Sequence, residues 1–112
     1  MTNSGVLSSS LLTSITFPEL TQVSNDFQVS SNAKLTSVSS GQLRTIGGEL
    51  KIDSCALLTT IDLPLLNTSD GIYLYLNEAL AQFSLPVLTE NTARLIVYSN
   101  SALTSISFDA LT

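Results

Sequence analysis

The sequence predicts a mainly β fold: a right-handed, leucine-rich β-solenoid of about five coils, each 22–23 residues long. The first observation is an apolar phrase that recurs at a nearly fixed spacing along the chain. The second is that apolar residues inside each phrase alternate with polar ones, which is the period of a strand rather than of a helix. The third is that prolines and glycines fall between these stretches, where the corners of a coil are expected.

The repeat sets the coil boundaries. Units begin at residues 12, 35, 58, 80 and 103, so successive starts are 23, 23, 22 and 23 residues apart. The clearest copies of the phrase are residues 12–20, 58–66, 80–88 and 103–111. The short unit loses its residue between Ser69 and Ile72, and residues 1–11 form a partial coil in which Val6 lies 23 residues before Val29. We expect a single solenoid domain over residues 1–112, as a fragment of a longer repeat array.

Two stretches of each unit are predicted strands. Unit positions 4 and 6 are apolar, and so are positions 16 and 18, each pair with the spacing of two that a strand requires. The predicted turn residues are Pro18, Pro64 and Pro86 at position 7, and Gly47-Gly48 and Asp70-Gly71 before the second strand. Short strands are therefore expected to stack on their counterparts in the next coil at roughly 4.8 Å.

Position 21 predicts a ladder of buried polar side chains. Its occupants are Ser9, Asn32, Cys55, Asn77 and Asn100. An asparagine at the same place in each coil can hydrogen-bond the turn backbone of its neighbours, and leucine-rich repeats accept Asn or Cys at such a site. We interpret Cys55 as structural rather than as a reactive thiol, because the chain has no histidine and no predicted helix N-terminus to lower its pKa.

Composition favours a binding or structural module over an enzyme. The chain has no histidine, which excludes Ser-His and Cys-His catalysis and imidazole ligation of metals. Its net charge of −5, with only four Lys and Arg, argues against a nucleic-acid partner. Charged residues make up 12% and are replaced on the surface by 31 Ser and Thr. No stretch approaches the roughly 20 apolar residues of a membrane span, so we expect no membrane insertion, no cofactor and no metal.

A family resemblance follows from these residues. The phrase LTSITFPEL, then LRTIGGELKI at residues 43–52, then Asn or Cys followed by Leu, resembles the receptor L-domain type of leucine-rich solenoid. Over residues 6–111 the chain is most similar to the repeats of fungal GPI-anchored cell-wall proteins. The BspA-like surface leucine-rich repeats, with their LTSITIP phrase, are the second resemblance. The steady leucine at position 9 favours the L-domain relatives.

Both resemblances imply a secreted or surface-anchored protein that works by adhesion, wall organisation or ligand capture, and not by catalysis. The expected partner is a protein or carbohydrate at the cell surface, with an extracellular location. The sequence as given shows no signal peptide, no anchor signal and no capping coils. Because an open solenoid end presents unpaired strand edges, self-association through the terminal coils is the competing expectation.

The candidate ligand-binding residues lie at positions 17 and 19, which face outward from the second strand. They are Lys51, Asp53, Tyr73, Tyr75, Ile96 and Tyr98. All three tyrosines of the chain fall on this face, and tyrosine suits both sugar rings and protein partners. The alternative is aromatic pairing between strands that only stabilises the sheet.

Other functional interpretations are weaker. Positions 3 and 5 carry mostly Ser and Thr, for which we predict a solvated face without a site and too irregular for ordering ice. Asp53 and Asp62 could act as an acid and base pair, but their positions place them on different faces. No acidic residues stack as metal ligands. Asn67 begins the single N-glycosylation sequon, near a turn, and is a possible glycan acceptor if the chain is secreted.

Overall fold

All regular elements that the structure describes are β-strands, three to a coil. The structure, a computed structural model, describes residues 5–7, by their backbone, and residues 11–111. The first strand of each coil is β2 (Ser14–Thr16), β5 (Ser37–Ser39), β8 (Thr60–Asp62), β11 (Gln82–Ser84) or β14 (Ser105–Ser107). The second is β3 (Gln22–Val23), β6 (Thr45–Ile46), β9 (Thr68–Ser69) or β12 (Glu90–Asn91). The third is β1 (Gly5–Leu7), β4 (Phe27–Ser30), β7 (Leu50–Asp53), β10 (Ile72–Tyr75) or β13 (Leu95–Tyr98).

Strands of the same kind stack in parallel sheets, which confirms the predicted β-solenoid. The third strands form a five-stranded sheet in the order β1-β4-β7-β10-β13. Phe27 pairs with Leu50, Leu50 with Ile72, and Ile72 with Leu95, so one coil takes 22–23 residues. Five strands are separated by four such steps, and the chain therefore makes about four turns rather than about five coils.

The second strand of each coil is a finding that the two-strand prediction missed. Strands β3, β6, β9 and β12 form a four-stranded sheet through only two residues each. Position 12 lies there, with buried Val23 and Ile46 in two coils. In the next two coils Ser69 and Asn91 take that place, and Ser69 Oγ donates a hydrogen bond to Asn91 Oδ1 at 3.2 Å. The hydrogen bond replaces apolar packing, which is why the apolar period fades there.

The predicted register of the partial coil is wrong by one residue. Leu7, and not Val6, pairs with Val29, while Val6 pairs with Gln28. Val6 and Leu7 are both apolar, so an alignment by hydrophobic character does not distinguish them. Ser9, the expected first member of the position-21 ladder, lies outside the described residues.

The one-residue deletion falls where it was predicted, at the turn before β10. The turn from β6 to β7 has three residues between Ile46 and Leu50, whereas the turn from β9 to β10 has two between Ser69 and Ile72. Gly71 closes this shorter turn at a φ of 130°, a conformation that side-chain-bearing residues rarely adopt. Its N–H donates to Asn91 Oδ1 at 2.8 Å, which ties the short turn to the next coil.

The core is a continuous stack of apolar side chains inside the coil. Its fully buried members include Phe27, Leu35, Leu43, Leu50, Leu58, Leu66, Ile72, Leu74, Leu80 and Leu88. These come from the predicted inward positions, so the inward and outward register of the strands is confirmed. Ile61 is the exception in the middle of the stack, because it is only partly buried. At the last coil Leu95 and Ile106 are each 44% exposed, since no described strand covers their outer side.

Candidate functional site

The position-21 residues form the ladder that the sequence predicts, at the end of the five-stranded sheet. Asn77 Oδ1 accepts a hydrogen bond from the Cys55 backbone N–H at 3.2 Å, and its Nδ2 donates to the Ile52 carbonyl at 3.0 Å. Asn100 repeats this one coil later, accepting from the Asn77 N–H at 3.1 Å. Each asparagine therefore joins two coils, and buried amides paired in this way hold the strand ends in register.

Cys55 takes the place of an asparagine in this ladder. Its thiol donates to the Asp53 carbonyl at 3.2 Å, as the Asn32 amide does to the Ser30 carbonyl at 3.0 Å. Burial raises the pKa of the Cys55 thiol, which keeps it protonated. A buried, protonated thiol is a poor nucleophile, and this supports the structural interpretation of Cys55.

A left-handed residue precedes each described member of the ladder. Ser31, Ser54, Leu76 and Ser99 have φ angles of 56°, 57°, 59° and 53°. This conformation turns the chain sharply after the third strand, which ends the outward face at position 19 in each coil. The turn recurs without glycine, so the ladder and the stacked backbone hold it in place.

The outward face of the five-stranded sheet carries an aromatic and cationic surface, which we call the tyrosine ledge: Lys51, Tyr73, Tyr75 and Tyr98. Tyr75 pairs with Tyr98 in the parallel ladder, and their rings stack with centroids 5.0 Å apart and planes parallel. Lys51 Nζ lies 5.8 Å from the Tyr75 ring centroid. Tyr98 is 52% exposed. The ledge thus offers a flat aromatic pair beside a cation, on a sheet whose backbone is fully paired up to β13.

Lys51, the cation of the ledge, interacts with the neighbouring Tyr75 side chain. Side-chain hydrogen bonding with Tyr75 is the main cause that raises the pKa of Lys51 above 10.5, so Lys51 stays charged at neutral pH. The pKa of Tyr73 is also raised above 10.0, first by desolvation and then by its hydrogen bonding with Glu49. Tyr73 therefore stays neutral at neutral pH, beside the charged Lys51.

One predicted site residue does not present a binding surface. Asp53 has only 7% of its surface exposed, and its carboxylate accepts a hydrogen bond from Ser30 Oγ at 2.8 Å. Ile96 is partly buried, as Lys51, Tyr73 and Tyr75 are, and it pairs with Tyr73 on the outward face. Asp53 belongs to β7 and Asp62 to β8, so the two carboxylates lie in different sheets.

The predicted glycan acceptor, Asn67, is exposed at a turn. Its backbone N–H donates to the Arg44 carbonyl at 2.7 Å, and its carbonyl accepts from the Thr89 N–H at 2.9 Å. The third sequon residue, Ser69, is buried. Use of the sequon stays a prediction.

The first strands show a feature that the sequence analysis missed: their sheet is split. Strands β2, β5 and β8 form a three-stranded sheet, and β11 and β14 form a separate two-stranded one. A cleft of about 340 Å³ lies over the split, at positions 3–5 where we expected no site. Its lining includes Thr60, Asp62, Gln82 and Ser84.

The split coincides with one residue that breaks a threonine pattern. At position 2, Thr36 and Thr59 each donate a side-chain hydrogen bond to the position-2 carbonyl of the preceding coil, at 2.9 and 3.2 Å. Thr104 does the same at 3.3 Å. Ala81 has no side-chain hydroxyl to donate to the Thr59 carbonyl. This alanine, at residue 81 in a column of threonines, is the sequence signal that could have located the split.

The described residues contain no group of three or more cysteine or acidic side chains placed to hold a metal ion. Nor do they form a helix long and apolar enough to cross a membrane. No protein-family model, no curated protein and no solved structure matches this chain. The structure by itself identifies a solenoid and not a particular family.

Proposed function

We propose that this chain is a non-catalytic repeat module of the receptor L-domain type, which binds a protein or glycan at a cell surface or cell wall. The observation that carries the proposal is the stacked Tyr75 and Tyr98 pair on the open face of a parallel sheet, with Lys51 beside it. The likeness of the repeat phrase to those of fungal GPI-anchored cell-wall proteins supports the surface location.

The tyrosine pair stands on a rigid part of the sheet. The two rings project from paired residues of β10 and β13, and their parent strands are joined by an unbroken ladder. Tyrosine has few rotatable bonds, so an aromatic surface of this kind loses little conformational entropy when a ligand covers it. The flat faces suit the apolar side of a sugar ring, and the hydroxyls accept or donate hydrogen bonds at the edge.

The competing interpretation is that the tyrosines only stabilise the sheet. Stacked aromatic pairs contribute about 0.5–1.5 kcal/mol beyond burial, so a structural role alone would change stability and leave binding untouched. The two roles are therefore separated by measuring both quantities in the same variant.

The test uses particles of insoluble β-1,3-glucan and of chitin as probes. We expect the wild-type chain to sediment with one of them. The double variant Tyr75→Ser and Tyr98→Ser should lose at least about fivefold in apparent affinity, or roughly 1 kcal/mol, while its circular dichroism stays that of the wild type. Gln28→Ser, on the same sheet outside the ledge, is the matched control. Equal binding by the double variant and the wild type would contradict the proposal.

A second candidate function is self-assembly through the last coil. Leu95 and Ile106 are each 44% exposed there, and β13 and β14 have no described partner on their outer side. Light scattering should show oligomers that become monomers in Ile106→Lys but not in Leu57→Lys, which alters a residue that is 51% exposed elsewhere. If molecular mass is the same in all three proteins, end-to-end stacking is wrong.

A further inference from the structure

The junction at the split differs from the other junctions between first strands that the structure describes, because backbone hydrogen bonds that join those coils are missing here. In the closed coils the position-2 N–H donates to the preceding coil, as Thr59 does to the Thr36 carbonyl at 3.0 Å. The position-6 N–H donates to the following coil, as Ser40 does to the Asp62 carbonyl at 3.1 Å. At the split, Ala81 and Leu63 hold these positions, and the corresponding bonds to Thr59 and Ser84 are not formed.

The cleft therefore has an unpaired backbone acceptor on each wall, the Thr59 carbonyl on one and the Ser84 carbonyl on the other. Its lining also includes Asp62 and Gln82, several Ser and Thr side chains, and the apolar residues Ile61, Phe83, Pro64 and Pro86. A few polar groups among apolar residues, in a cavity above roughly 300 Å³, is the usual make-up of a small-molecule site.

The charge of the lining limits the ligand. No lysine or arginine lines the cleft, whereas Asp62 does. An anion such as a phosphate would meet a carboxylate without a cation to offset it, which disfavours binding. The hydroxyl, amide and backbone groups instead match a neutral molecule that carries many hydroxyls.

The rest of the coil limits the size of the ligand. Adding an extended peptide between β8 and β11 would require the two strands to stand about 9.6 Å apart, twice the normal spacing. The same two coils stay paired on their other sides, β7 with β10 and β9 with β12. Cα atoms of β8 and β11 still approach within 8 Å. The split is therefore too narrow for a whole strand.

We infer that the cleft between β8 and β11 is a binding site for a small neutral saccharide, of one or two rings, held by the Thr59 and Ser84 carbonyls together with Asp62 and Gln82. This site is distinct from the tyrosine ledge, and either could exist without the other. It places a sugar site on the side of the coil that the sequence marks as a plain hydroxyl face.

The test is titration of the 112-residue chain with cellobiose at millimolar concentrations, followed by backbone amide chemical shifts. We expect the largest shifts at Leu63, Ala81, Gln82 and Ser84, and none with glucose 6-phosphate. Two variants sharpen the assignment. Ala81→Thr restores the hydroxyl that joins closed coils, and Ser84→Trp fills the cleft from an exposed position. Each should weaken binding at least about tenfold.

Ser14→Trp, an exposed position of β2 that does not line the cleft, is the control and should bind as the wild type does. The inference would be overturned by the absence of a saturable shift at the cleft, or by shifts that persist unchanged in Ser84→Trp. Shifts confined to Tyr73, Tyr75 and Tyr98 would also overturn it, although they would support the proposed ledge. A loss of ledge binding to glucan or chitin leaves this inference standing, so the two failures are distinguishable.

Discussion

Two sides of the coil are built from the same 22–23-residue repeat, but the sheet is continuous on one side and interrupted on the other. The five-stranded side runs unbroken from β1 to β13, and the asparagine ladder ties its strand ends from coil to coil. The side formed by the first strands is interrupted between β8 and β11. The unbroken side projects rigid aromatic side chains, whereas the split side exposes backbone groups. A single repeat can thus offer two kinds of surface, depending on whether the hydrogen bonds between first strands of successive coils are present.

The largest expected effect is a difference in unfolding free energy between core substitutions on the two sides. Leu74→Ala removes a fully buried side chain from the five-stranded side and should lower the free energy of unfolding by about 2–5 kcal/mol. Ile61→Ala lies beside the split, is already partly exposed, and should cost at least about 1 kcal/mol less because less apolar area is lost. Urea unfolding measures both. A cost below about 0.5 kcal/mol for Leu74→Ala would mean that the inward register is slipped by one.

The next effect concerns the ladder. Asn77→Ala leaves the Cys55 N–H and the Ile52 carbonyl without their partner inside the fold, and should destabilise the chain by about 1–3 kcal/mol. Asn67→Ala, at an exposed turn position, is the matched control and should stay within about 0.5 kcal/mol of the wild type. If the two variants unfold at the same urea concentration, the ladder does not stabilise the five-stranded side.

A smaller effect of opposite sign is expected on the split side. Ala81→Thr supplies the missing hydroxyl and should stabilise the chain by about 0.5–1.5 kcal/mol through one added inter-coil hydrogen bond. Thr36→Ala removes the same bond in a closed coil and should destabilise by a similar amount. Thermal unfolding of the two variants tests this mirror relation. Destabilisation by Ala81→Thr would show that something other than the threonine column keeps the coils apart.

The smallest effect is the response to alkaline pH on the ledge. The folded-state pKa values of Lys51 and Tyr73 lie above their ordinary values of 10.5 and 10.0. Each group therefore contributes stability that is fully present below its ordinary pKa and is lost as the pH rises through the folded-state pKa. Unfolding free energy should fall above about pH 10, and less so in Lys51→Met. If the unfolding free energy of Lys51→Met varies with pH as that of the wild type does, Lys51 does not contribute to the alkaline loss of stability.

The solenoid was predictable because its signal is repeated. Apolar positions such as Leu50 and Ile72 recur at the coil period, and the buried asparagines mark a fixed place in the coil. The second strand was missed because two residues are too short to show a period, and because Ser69 and Asn91 replace apolar packing by a hydrogen bond. The burial of the Asp53 side chain could not be foreseen from its outward position, because its hydrogen-bond partner is the Ser30 hydroxyl of the preceding coil.

The candidate sites divide in the same way. The tyrosine ledge could be predicted because positions 17 and 19 of stacked strands necessarily share a face, although the stacking of Tyr75 on Tyr98 needed the structure. The cleft was missed, because Ala81 marks it only by the absence of a threonine hydroxyl and not by a distinctive side chain. At unit position 2, the single alanine marks the place of the split, whereas the threonines of the other coils show only that those coils are joined.

The most direct test of the difference between the two sides is hydrogen exchange of individual backbone amides at neutral pH. We predict that Ala81 and Leu63, whose N–H groups lack a partner across the split, exchange at least about 100-fold faster than Thr59, Ser40 and Leu85, whose N–H groups are bonded across closed coils. The amides of Leu50 and Ile72 on the five-stranded side should be protected as strongly as the latter. Equal protection of Ala81, Leu63 and their bonded counterparts would contradict the split, and with it the saccharide cleft.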